Sequence, residues 1–273
     1  MWARLRAWYH SVWTDRPLQV GQHVHGYRID TILGVGSYGI AYLATKISSG
    51  ERVVLKQVKP SRAHDAKGLP MQQYEMNVLL SLHHPRIPRV LDHFVWEDHS
   101  FMAMSYIQGQ TVEDYLFEQG GTFTEVDAVR LVRKIAIIVQ ELHQQGIIHR
   151  DVRIPNVILQ DGEPYLIDFG LARFLGDPPT YIADNLDDYP EEKQLKRQVH
   201  VESDLYALGH FLLFLLYSTY EPTGEAEKSW EEELTLTPEI RGMLHRLLQI
   251  GQAYESVGGF LQDMDAYLAV YDA

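Results

Sequence analysis

The hydrophobic pattern of this 273-residue chain changes character once, at Gln108-Gly109, and that change constrains the fold more than any other feature. Before it, short runs rich in β-branched and aromatic residues alternate with glycine-bearing turns: YRIDTIL from Tyr27, IAYLATK from Ile40, RVVLKQV from Arg52, then RIPRVLDHFVWED and SFMAMSYI. Such runs read as strands, and the Ser-Ser-Gly turn between the second and third reads as a hairpin. One segment interrupts them: residues 70–82, PMQQYEMNVLLSL, have helical spacing. After Gly109 the periodicity lengthens. Ala128–Gln145 repeats apolar residues at helical spacing and stops at Gly146; VILQ and YLID form short strands around an Asp-Gly turn, and the remainder is mostly helical. The chain therefore reads as α+β in two parts, a small sheet-rich lobe with one main helix and a larger helical lobe.

Composition narrows the function classes. Apolar residues are 45% of the chain, enough to bury a core, and there is no cysteine, which removes disulfides, thiolate metal sites and a cysteine nucleophile. That usage is compatible with a reducing cytoplasm. The net charge of −13 argues against nucleic acid as partner. The charge is uneven, however: residues 1–62 carry nine Lys/Arg against three acids, so the rest of the chain is strongly acidic. A basic first part suggests that something anionic is handled there. No stretch reaches the ~18–20 apolar residues of a membrane span; the nearest, Leu205–Tyr217, contains a His and reads as a buried helix. The first residues, MWARLRAWYHSVW, lack the apolar core of a signal peptide. Residues 2–13 read as a short amphipathic helix that packs on the domain, or meets a membrane surface or a partner.

Four elements carry chemistry. Gly34-Val35-Gly36-Ser37-Tyr38-Gly39 lies between two strands. Glycines admit close backbone approach to a phosphate, although a tight turn without ligand has the same composition. A dinucleotide fold is disfavoured, because a strand and not a helix follows. Lys56 stands among apolar strand residues, either facing solvent or held by Glu75, nineteen residues on in the helical segment. His149-Arg150-Asp151-Val152-Arg153-Ile154-Pro155-Asn156 offers an Asp that can accept a hydroxyl proton and an Asn five residues on. Asp168-Phe169-Gly170 adds a second Asp after a strand, an oxygen ligand suited to Mg²⁺. Singly each acid is a loop residue; in this order they form a set.

That ordered set resembles the eukaryotic-type (Hanks-type) protein kinases, from about Tyr27 to about Leu268, in a compact, bacterial-like serine/threonine form. The resemblance implies a bilobal protein-kinase-like fold, with an extension over 1–26, an ATP-binding N-lobe over 27–104 and a C-lobe over 105–273. It implies that Gly34, Gly36 and Gly39 cover the phosphates of ATP, within a binding set of Leu33, Val35, Ser37, Tyr38, Ile40 and Ala41. Lys56, paired with Glu75, meets the α- and β-phosphates; Met104 is the gatekeeper before a hinge at Ser105, Tyr106 and Ile107. Asp151 is the catalytic base, Arg153 the γ-phosphate clamp, and Asn156 and Asp168 the Mg²⁺ ligands. Asp204 resembles the buried Asp that anchors the catalytic loop, and His149 packs as the structural member of its motif.

The pattern also departs from the family. Ala41 replaces a valine over the adenine, and Arg153 stands where serine/threonine kinases carry Lys; an arginine can still grip a phosphate bidentately. No Ala-Pro-Glu occurs. Tyr189-Pro190-Glu191 is the candidate substitute, and the arginine that should pair with its Glu aligns with Glu255. Between Gly170 and Tyr189 the only hydroxyls are Thr180 and Tyr181; either Thr180 is a phosphosite whose phosphate would bond to Arg150 and order the loop, or the segment is an unmodified surface loop. The acids Asp184, Asp187, Asp188, Glu191 and Glu192 are a solvated face or a preference for basic substrates. The thirteen histidines show no metal-like grouping. The resemblance thus implies ATP- and Mg²⁺-dependent transfer to Ser/Thr hydroxyls of protein substrates, with autophosphorylation in reach. A small-molecule phosphotransferase and a nucleotide-binding scaffold are the alternatives.

Overall fold

The computed structural model describes residues 15–65, 67–178, 191–221 and 228–271. They fall into two compact units, divided between Ile107 and Gln108. The helix expected over residues 2–13, Thr180, Tyr181 and the acids at 184–188 lie outside the described residues.

The first unit is a six-stranded antiparallel sheet with one helix. Its elements are β1 (His23–Val24), β2 (Tyr27–Val35), β3 (Gly39–Lys46), β4 (Arg52–Val58), α1 (Leu69–Ser81), β5 (Val90–Trp96) and β6 (His99–Ser105). The strand order is β1-β2-β3-β4-β6-β5. Alternation along β3 buries Ile40, Tyr42 and Ala44, which join Tyr27, Ile29, Leu55 and Phe101 in one core. Two connections show how turn chemistry sets register. Gly50, at φ +74°, closes the β3–β4 hairpin. Glu97 and Asp98, at φ +46° and +64°, form a two-residue loop that pairs Trp96 with His99; positive φ at both positions matches the right-handed twist of the flanking strands.

The chain enters this sheet through a strap. Asp15 accepts hydrogen bonds from the Ser61 amide (2.9 Å) and hydroxyl (2.7 Å), in the turn that follows β4. Three residues on, the Leu18 amide donates to the buried Tyr42 hydroxyl (3.1 Å), which donates to Gln57 Oε1 (2.8 Å).

The second unit is mainly helical: β7 (Gln110–Thr111), α2 (Val112–Phe117), α3 (Glu125–Gln144), β8 (Ile147–Ile148), β9 (Val157–Gln160), β10 (Glu163–Leu166), β11 (Arg173–Phe174), α4 (Glu191–Arg197), α5 (Val201–Leu216), α6 (Trp230–Glu233), α7 (Pro238–Leu247) and α8 (Val257–Tyr271). Helix α3 is the centre, packed against α5, α8 and β10. It begins three residues before its apolar periodicity, because the Thr124 hydroxyl caps it by accepting from the Asp127 amide (3.1 Å). Gly146, at φ +71°, ends it. The apolar run from Leu205 is the core helix α5, with Leu205, Leu208, Phe211, Leu212 and Leu215 buried. Among the described residues no helix is long and apolar enough to cross a membrane.

Candidate active site

In the first unit the glycine loop joins β2 to β3, closed by the Gly36 amide donating to the Gly39 carbonyl (3.0 Å). Its three glycines have different reasons to be there. A Cβ on Gly39 would sit 2.8 Å from the Gln57 carbonyl oxygen, so the β3–β4 ladder itself requires glycine. A Cβ on Gly34 would meet nothing within 4 Å, and one on Gly36 only the Gly39 oxygen at 3.6 Å. Side chains at both positions would meet no close neighbour in the fold, and glycine there leaves the backbone open to close approach. Leu33, Val35 and Tyr38 are exposed around the loop, while Ile40 is fully buried in the core.

Lys56 lies on β4, opposite Ala41 on β3 and Met102 on β6. Directly opposed residues share a face, and Met104 joins them two positions along β6, half-buried. The Lys56 ammonium meets both oxygens of Glu75 on α1, at 2.7 and 2.8 Å. The Glu75 side chain is 4% exposed and that of Lys56 25%, so the acid is enclosed and the lysine side chain is partly open. At the end of β6 the Arg52 guanidinium lies over the Tyr106 ring, 4.9 Å from its centroid.

In the second unit the loop after β8 is built around Asp204, which α5 holds fully buried. Its Oδ2 accepts from the His149 amide (2.9 Å) and its Oδ1 from the Arg150 amide (2.7 Å). Arg150 stands at φ +66°, a strained conformation for a long side chain, and those two bonds hold it there. The His143 ring on α3 adds a contact to Asp204 Oδ2 at 2.9 Å. Burial opposes ionisation of Asp204, but the His143 ring and the His149 ring and amide outweigh it and hold the carboxyl below the usual range. Burial pushes the His149 imidazole down, against the pull of Asp204, Asp151 and Asp168. The ring packs edge-on against Phe169 (centroids 4.7 Å apart), and its Nδ1 accepts from the Asp151 amide at 3.3 Å. His143 was not among the residues singled out from sequence; its signal is a polar side chain in the last turn of an apolar helix.

The Asp151 carboxylate is held from two sides. Asn156 Nδ2 donates to its Oδ2 (2.8 Å) and to its carbonyl (2.9 Å). Arg153 forks onto it, Nε to Oδ1 at 2.8 Å and Nη2 to Oδ2 at 3.1 Å. The guanidinium that the resemblance assigns to a phosphate therefore grips Asp151. Because the Asn156 amide nitrogen is committed to Asp151, its oxygen is presented as a hard ligand. The Ile167 amide donates to the Asn156 carbonyl (2.9 Å), which sets the exposed Asp168 beside it. Asp168 is at φ +61°, its Oδ1 facing the Gly170 amide at 3.4 Å. Two oxygens fit a Mg²⁺ ion that takes its other ligands from phosphate and water. Among the described residues no group of three acids or histidines could hold a metal alone.

Other expectations have a less direct outcome. The buried Arg150 guanidinium donates to the main-chain carbonyls of Leu171 (3.1 Å) and Arg197, and Thr180 lies outside the described residues. Glu191 opens α4, Tyr189 and Pro190 lie outside the described residues, and Glu255 is exposed.

Comparison with known proteins identifies the family. The family model described as "Protein kinase domain" matches residues 27–252. The chain is 38% identical over 252 residues to the probable serine/threonine-protein kinase YbdM of Bacillus subtilis, covering 92% of this chain and 93% of that protein. It is 32% identical to the serine/threonine-protein kinase PknJ of Mycobacterium tuberculosis over 77% of this chain, spanning 36% of that longer protein. Among solved structures, the kinase domain of Mycobacterium tuberculosis PknI superimposes with a TM-score of 0.68 at 23% identity, over 92% of this chain and 99% of that one, a likeness of fold. With family model, relatives and fold in agreement, the chain belongs to the protein kinase family, as an enzyme whose relatives are serine/threonine-protein kinases.

Proposed function

We propose that this chain transfers the γ-phosphoryl group of ATP to Ser or Thr hydroxyls of protein substrates. The observation that carries the reading is the Lys56–Glu75 pair. A buried acid that fixes a partly exposed lysine through both oxygens sets a cation in one place, which suits a polyanionic substrate. In this reading Gly34, Gly36 and Gly39 cover the phosphates, with Leu33, Val35, Ser37, Tyr38, Ala41, Met104 and Tyr106 around the nucleotide, while Ile40 is turned into the sheet core and contributes no side chain there. Asp151 takes the proton of the substrate hydroxyl as its oxygen bonds to the γ-phosphorus and the bond to the ADP oxygen breaks. Asn156 and Asp168 hold Mg²⁺, whose charge offsets that of the phosphate oxygens when it is bound. Arg153, freed from Asp151, meets the γ-phosphate.

Finer features belong to the same proposal: a cytoplasmic location, basic protein substrates favoured by the acidic 184–192 segment, autophosphorylation, and Thr180 as a modified residue. The test is label transfer from γ-labelled ATP with Mg²⁺ to a generic basic protein. Asp151→Asn should lower kcat by about 10²–10⁴-fold, and Lys56→Met by at least about 10²-fold. Equal labelling by wild type and both variants would overturn the reading.

A further inference from the structure

Helix α1 grips the Lys56 residue twice. Glu75 takes its ammonium; one turn earlier on the same face, Gln72 Nε2 donates to its carbonyl oxygen at 2.7 Å. Gln72 is 5% exposed, an uncharged polar side chain buried between helix and sheet. Its other end accepts from the Ser100 hydroxyl on β6 at 2.6 Å, and Ser100 Oγ meets His93 Nε2 on β5 at 3.1 Å.

Chemistry fixes the direction of every bond in this chain. A backbone carbonyl can only accept, so the amide must turn its nitrogen to Lys56 and its oxygen to Ser100. Ser100 spends its only proton on that oxygen, and His93 must therefore donate to Ser100. With polarity fixed and both buried members satisfied, the network has one low-energy arrangement, which sets α1 against β4 and β6.

We infer that Gln72 is a positioning residue for phosphoryl transfer: it docks α1 so that the Lys56–Glu75 pair is formed before any substrate arrives. The kinetic consequence rests on the proposed kinase activity; the mechanical one does not. Gln72 acts through Glu75, since it reaches the main chain of Lys56 and leaves the ammonium to the acid.

The test uses the full chain with Gln72→Met, which keeps volume and removes both hydrogen bonds, Glu75→Gln and the double variant, each checked for folding by its melting temperature. Phosphoryl transfer and hydrogen exchange of the α1 amides are read in parallel. Gln72→Met should lower kcat about tenfold and speed exchange across α1. The double variant should be no slower than Glu75→Gln alone, because the two residues serve one contact. Losses that multiply in the double variant, or wild-type exchange in Gln72→Met, would overturn the inference. If Gln72→Met does not fold, Ser100→Ala replaces it, with a several-fold loss of kcat and the same exchange criterion. A wild type that transfers no phosphate would sink the kinase reading alone, and exchange in α1 would still decide the role of Gln72.

Discussion

Asp204 shows how one side chain organises a functional loop. Its two oxygens satisfy consecutive amides, hold Arg150 in a left-handed conformation and so aim Asp151. Asp204→Ala strands both amides and the His143 ring in a buried place, and should cost about 3 kcal/mol or more in a denaturant melt. The pH dependence follows from two depressed groups. His149 is held below its ordinary value by burial, so the unfolded chain binds the extra proton first, and stability falls as pH drops below about 6.5. Asp204, also lowered, keeps its contribution above about pH 4 and loses it only on further acidification. Melts between pH 7 and 5 should therefore show a slope that His149→Phe reduces. An unchanged slope would show that His149 is not its source. The motif residues themselves were legible in the sequence, since their identities and order carry the chemistry. Gln72 and His143 were not, because a polar residue on a helix reads as solvent-facing until its neighbours are known.

Elements were legible where one physical signal dominates. Runs of β-branched and aromatic residues between glycine-bearing turns placed β3 and β4, and the apolar run from Leu205 announced a buried helix. The start of α3 was misplaced by three residues, because the cap at Thr124 acts through a hydrogen bond and not through periodicity. Packing between elements gives a further prediction. Gly209 on α5 faces α7 so closely that a Cβ would lie 2.9 Å from Leu247 Cβ and 3.1 Å from Leu248 Cδ2. Gly209→Ala should thus destabilise by about 1–3 kcal/mol in a thermal melt, by overpacking. In the first unit the strap at Asp15 and Leu18 is fastened by hydrogen bonds to Ser61 and Tyr42. Asp15→Ala should cost no more than about 1 kcal/mol, since that bond is exposed, and should speed hydrogen exchange at Ser61. Protection at Ser61 equal to wild type would remove the strap's claim to hold that turn.

Over the whole molecule, both units hold tyrosine hydroxyls against acids. Tyr27 in the first unit is pushed up to about 12, by burial first and then by the charge and hydrogen bond of Asp92. Tyr267 in the second is likewise pushed up to about 12, by burial and by Glu125. A raised folded value favours the neutral phenol, so these contributions are intact below about pH 10 and fade as pH rises through about 12. Phenolate absorbance should show a fraction of the sixteen tyrosines titrating late, smaller by one in each of Tyr27→Phe and Tyr267→Phe. By itself the sequence determined the two-part α+β architecture, the family and the identity of the chemical groups, because periodicity and ordered motifs are local properties of the chain. The tertiary structure alone decided which groups meet: that Arg153 grips Asp151, that Arg150 donates to main-chain carbonyls, that Asp204 holds the turn at His149 and Arg150, and that Gln72 donates to the Lys56 carbonyl. Those contacts join residues by distance and direction of donor and acceptor, which no spacing along the chain encodes.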